Sequence, residues 1–136
     1  MARTKQKVAG GLGGSKRARI RWADEPQRQD YPAARSYLSL HYRGPTAKAY
    51  VKKLKRAPLS EFKAKDIFRA SGLSLLGISN RHVERDRQKI RAGQPLSPLL
   101  LIRDTEHGKV IIADGYHRLC AVYECDEDAV IPCKIV

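Results

Sequence analysis

The chain has 136 residues, 42% of them hydrophobic, and a formal net charge of +13 with a pI near 10.0. That length supports one folded domain and not two separate cores, no apolar run approaches the roughly 20 residues that cross a bilayer, and the basic N-terminus lacks the apolar stretch of a signal peptide. A soluble, cytoplasmic protein is expected. Its charge is uneven: Lys and Arg outnumber Asp and Glu 15 to 4 over residues 1–61 but 12 to 10 over 62–136, so the first part carries +11 and the second +2.

Residues 1–21 combine Lys and Arg with Gly10-Gly11-Leu12-Gly13-Gly14, a composition that buries too little apolar surface to offset chain entropy, so a flexible basic tail is predicted. Residues 22–57 form a basic extension. Pro26 and Pro32 break any long helix there, leaving a short one over Ala33 to Leu40. Thr46 is a candidate cap for a helix running to Arg56, with Ala47, Tyr50, Val51 and Leu54 on one face and Lys48, Lys52, Lys53, Lys55 and Arg56 on the others. The charge of this half suits nucleic acid, whose affinity grows with each phosphate neutralised, and it equally suits solubility. Trp22, Tyr31, Tyr37, Tyr42 and Tyr50 are interleaved with the cations and offer faces for unpaired bases.

Leu59 to Phe62 reads as a strand or a turn, Lys63 to Ala70 as a helix stopped by Gly72. Ser79 or Asn80 caps the next helix, which stops before Gly93 and Pro95. Its apolar positions are Val83 and Ile90, and His82, Arg85 and Lys89 line up on one side. That row either faces a phosphate or is a solvated basic face balanced by Glu84 and Asp86. Leu99 to Ile102 and Lys109 to Ala113 make a hairpin around a polar turn, a helix follows from His117 to Cys125, and Val130 to Val136 is a last strand. Cys120, Cys125 and Cys133 lack zinc-site spacing and read as reduced, mostly buried thiols.

The chemistry concentrates at Ala113-Asp114-Gly115-Tyr116-His117-Arg118-Leu119, a turn from strand into helix. The first N–H groups of a helix have no intrahelical acceptor and carry the positive end of its dipole, so a phosphate is well bound there. His117 and Arg118 add side-chain donors. Asp114 repels a bare phosphate, and therefore caps the helix, pairs with Arg118, holds a metal or takes a proton from a substrate.

The run Ile90, Gly93, Pro98-Leu99, Ile112 to Leu119, Ala121 and Ile131-Pro132 resembles the ParB/sulfiredoxin superfamily over roughly residues 58–136. In that superfamily a helix ending at Gly leads to a Pro-Ile strand, a Gly-x-x-Arg turn follows and an Ile-Pro strand closes the domain. The resemblance implies a small α+β domain, a mixed sheet with packed helices, behind the basic and partly disordered extension. It also implies nucleotide phosphates at Gly115 and Arg118. Sulfiredoxins have Gly-Cys-His-Arg at the turn; Tyr116 replaces the nucleophilic Cys and cannot form a thiosulfinate, and Cys120, one turn on, does not restore it. Partition proteins have Gly-Glu-Arg-Arg and continue into a helix-turn-helix reader, whereas this sequence ends at Val136, so a full partition clamp is not expected. Lys89 stands where those proteins often place a Ser.

Free-serine kinases of the same fold carry a turn similar to Asp-Gly-His-His-Arg, from which Asp114 to Arg118 differs at one position. That resemblance implies Asp114 as a general base or magnesium-side carboxylate, with His117 and Arg118 steadying a moving phosphate. The expectation is a nucleotide-binding protein for ATP or CTP, with Mg2+ where turnover occurs, by hydrolysis or phosphoryl transfer. Asp114 and His117 are the candidate catalytic residues, and Gly115, Tyr116, His117, Arg118, Arg85 and Lys89 the candidate phosphate contacts. No resident metal site is expected. The alternative is a nucleic-acid-binding accessory protein that acts through its basic N-terminal region.

Overall fold

In the computed structural model, which describes residues 19–77 and 79–136, a four-stranded mixed sheet separates two helical layers. The strands are β1 (Leu59–Lys63), β2 (Leu99–Asp104), β3 (Lys109–Asp114) and β4 (Val130–Ile135), in the spatial order β1-β4-β2-β3. Strand β4 runs antiparallel to β1 and parallel to β2, and β2 pairs with β3 in the expected antiparallel hairpin. The α+β class and the mixed sheet anticipated from the sequence are both present.

The unbroken run Leu99-Leu100-Leu101-Ile102 is buried throughout because successive side chains of β2 enter different cores. Leu99 and Leu101 meet Ile112, Ile131 and Cys133 under α3 (Ala64–Ser71), α4 (Arg81–Arg91) and α5 (Tyr116–Cys125). On the other face, Leu100 and Ile102 meet Ile111 and Ala113 under α1 (Asp30–Leu38) and α2 (Gly44–Arg56). The amphipathic stripe of α2 is therefore docked on the sheet, with Ala47, Val51 and Leu54 buried.

Several boundaries differ from the sequence reading, each for a local reason. Helix α1 begins at Asp30 and runs through Pro32; a proline in the first turn costs nothing, because the N–H it lacks has no intrahelical acceptor there. Thr46 caps nothing: Arg43 is the N-cap of α2, and Pro45 occupies its first turn. Leu59 to Phe62 resolves as the edge strand β1. Of the tail expected over residues 1–21, the first 18 lie outside the described residues, but Arg21 already belongs to the fold. Its carbonyl accepts from Leu96 N–H at 2.8 Å, and Ala23 N–H donates to the Leu96 carbonyl at 2.8 Å.

Asn80 is the cap of α4 as anticipated, its Oδ1 accepting from His82 N–H at 2.9 Å and Val83 N–H at 3.2 Å. All three cysteines are free, Cys120 and Cys133 buried and Cys125 partly so. Burial pushes the Cys133 thiol up to about 12, which keeps it protonated and unreactive. No helix among the described residues is long and apolar enough to cross a membrane.

Candidate functional site

The turn between β3 and α5 is shaped by a bulge. Leu100 pairs with Asp114 but Leu101 pairs with Ile112, so Ala113 is the extra residue. Such bulges re-aim the next side chain. Gly115 follows as N-cap of α5 at φ 108, a conformation L side chains avoid. Space enforces the same choice, since a Cβ here would lie 2.7 Å from Leu99 Cγ and 3.0 Å from Arg118 Nη2. The N-terminus of α5 carries no side-chain cap.

Of the four roles open to Asp114, the one observed is pairing with Arg118, whose Nη2 donates to Asp114 Oδ2 at 2.9 Å. Arg118 also donates from Nε to the Ser97 carbonyl at 2.9 Å and from Nη2 to the Pro98 carbonyl at 3.3 Å. Its guanidinium thus ties the start of β2 to the end of β3. Beneath it the Ser97 hydroxyl donates to Asp30, which also accepts from Gln27 N–H at 2.9 Å. Burial raises the pKa of Asp114 despite Arg118, and the neighbouring carboxyl of Asp30 pushes the same way. The tier Asp30, Ser97, Asp114 and Arg118 is an internal network that locks α1, β2, β3 and α5 together.

A second tier lies where α4 crosses the start of α5. The imidazoles of His82 and His117 stand 4.9 Å apart between centroids. Burial lowers the pKa of His117, His82 and Arg118 add to that, and Asp86 opposes it. Asp86 is 9% exposed; burial raises its pKa, opposed by Arg118, Lys89, His117 and Arg85 in turn. Lys89 is half-buried and Arg85 exposed. His82 therefore borders the α5 turn, while Arg85 and Lys89 act on Asp86 from the same helix. Tyr116 is turned to another task, its hydroxyl donating to the Ser74 carbonyl and pinning the segment that leads to α4.

Sequence reasoning placed the turn correctly and missed Asp30, Ser97 and Asp86 as parts of it. Asp86 had a legible signal: Val83, Asp86 and Ile90 are the buried residues of α4, and they follow at i, i+3 and i+7, so the carboxyl occupies the apolar seam. Asp30 had none, because its partner Ser97 is 67 residues away in sequence. Among the described residues no group of three or more His, Cys, Asp or Glu is arranged to hold a metal ion. Asp114, the carboxylate of the turn, is committed to Arg118. Comparison with known proteins returned no matching family model, curated protein or solved structure.

Proposed function

We propose that this protein binds the phosphates of a nucleotide in the cradle between α4 and the N-terminus of α5. The observation that carries the reading is the uncapped start of α5, with Gly115 at φ 108, beside the paired imidazoles of His117 and His82 and the helix α4 that carries Lys89 and Arg85. Free N–H groups and the helix dipole favour an anion there, and Lys89 and Arg85 neutralise its charge. The resemblance to the ParB/sulfiredoxin superfamily points to the same turn and to a nucleoside triphosphate such as ATP or CTP.

In this reading Lys89, His117 and the backbone after Gly115 hold phosphate, while Arg118 and Asp114 preform the turn. Turnover, by hydrolysis or phosphoryl transfer, would use His117 to hold or give up a proton, with Asp86 stabilising the charged imidazole. Calorimetric titration of ATP, ADP, CTP and GTP, with and without magnesium, tests it on the wild type and on Lys89→Ala. Binding by the wild type, weakened about tenfold in the variant, is expected for loss of one charged contact. Absence of binding to all four nucleotides would overturn the proposal.

A further inference from the structure

The α1–α2 hairpin, residues 30–56, carries seven Lys and Arg against one acid, Asp30. Asp30 is buried, and all seven cations are exposed. None of them takes part in an ion pair among the described residues. On an exposed flank of α2, Lys48, Lys52 and Lys55 follow at i, i+4 and i+7 and so stand in one row, about a quarter turn round the helix from the buried stripe Ala47, Val51 and Leu54. At 1.5 Å per residue the row spans about 10 Å, so its three cations can meet phosphates along one stretch of backbone.

The row ends at an aromatic groove. The Nζ atoms of Lys55 and Lys134 lie 5.6 Å and 5.9 Å from the centre of the Tyr31 ring. Lys134 also donates to the Lys55 carbonyl at 2.9 Å. Beside the ring is a surface groove of about 460 Å³ lined by Glu25, Pro26, Arg28, Tyr31, Pro32 and Lys55. Cations along a track and an aromatic face at its end are the two ingredients of sequence-tolerant single-strand binding. Phosphates alone would need only the track; the groove supplies a place for a base.

We infer that an exposed flank of the α1–α2 hairpin binds single-stranded nucleic acid, its backbone along Lys48, Lys52 and Lys55 and an unpaired base against Tyr31. The surface lies across the sheet from the α4–α5 cradle and does not depend on nucleotide binding there. Fluorescence anisotropy of the full chain with a labelled 20-nucleotide single strand, and with its duplex, over a range of salt concentrations tests the assignment. The Lys48→Ala/Lys52→Ala/Lys55→Ala variant should lose affinity for the single strand about tenfold or more and flatten the slope of log K against log salt by about two units. The matching triple Lys→Arg variant should retain binding. Tyr31→Leu should weaken the single strand about fivefold or more and leave the duplex unchanged.

Unaltered circular dichroism in each variant separates lost binding from lost fold. A wild type that does not bind, or a triple Ala variant that binds as the wild type does, overturns the inference; the latter result would move the affinity to residues 1–18. Equal loss of single strand and duplex in Tyr31→Leu overturns the base contact.

Discussion

The two helical layers that sandwich the sheet treat charge in opposite ways. In the α4–α5 layer the decisive charges are turned inward, Asp86 into the seam of α4 and Arg118 onto Asp114, whose side chains are each 16% exposed in that pair. In the α1–α2 layer the cations stand in solvent without carboxylate partners among the described residues, and the helices are held down by their apolar stripes together with the buried Asp30–Ser97 contact. Charge in the first layer is a structural element, because a buried ion left unpaired is costly. Charge in the second adds little to stability and is what the inferred strand-binding surface would use. An arginine at a strand-to-helix turn can therefore be spent on internal carbonyls and a carboxylate rather than held out for a ligand.

The largest effect that would break this contrast lies at the inner pair. Arg118→Ala leaves Asp114 buried without its cation and strips donors from the Ser97 and Pro98 carbonyls, so a loss of about 3–5 kcal/mol is expected in urea unfolding; a loss below 1 kcal/mol would mean the pair is not structural. Next comes Gly115→Ala, which combines the positive φ with a Cβ 2.7 Å from Leu99 Cγ. Strain and overpacking together predict about 2–4 kcal/mol, measured in the same way. Asn80→Ala removes a cap that accepts two backbone N–H groups and should cost about 1 kcal/mol. Lys52→Ala, by contrast, should leave the unfolding midpoint where it is, and a large drop there would erase the distinction between the layers.

A smaller, pH-dependent effect sharpens the account of the cradle. The pKa of His117 is lowered in the folded protein, so below its ordinary value of about 6.5 the unfolded chain takes up the proton first. Its contribution to stability is thus present above that value and is lost as pH falls through the folded pKa. Asp86 and Asp114 are raised, so between the ordinary carboxyl range and their folded values the native state holds the extra protons and stability falls as pH rises. If phosphate sits against His117 as proposed, affinity for nucleotide should grow as pH drops below about 6.5, and His117→Ala should flatten that growth in a calorimetric pH series. A nucleotide affinity indifferent to pH in the wild type would remove His117 from the phosphate contacts.

Much of this protein was decided by local rules and could be read directly. Strands β2 and β3, the helix between β3 and β4, the Asn80 cap and the α5 turn all rest on periodicity, capping and glycine placement within a dozen residues. The even burial of Leu99 to Ile102 on two sides of the sheet follows from an apolar run too continuous for a half-solvated strand. What the tertiary structure decided was the partner of each charge. Arg118 could equally have reached outward until β2 brought the Ser97 and Pro98 carbonyls under it, and Asp30 acquired its place only when Ser97, 67 residues on, donated to it. Local sequence sets backbone conformation through interactions spanning a few residues; the direction taken by a long charged side chain depends on the desolvation and hydrogen bonds available at its tip, and those are supplied by segments distant in the chain.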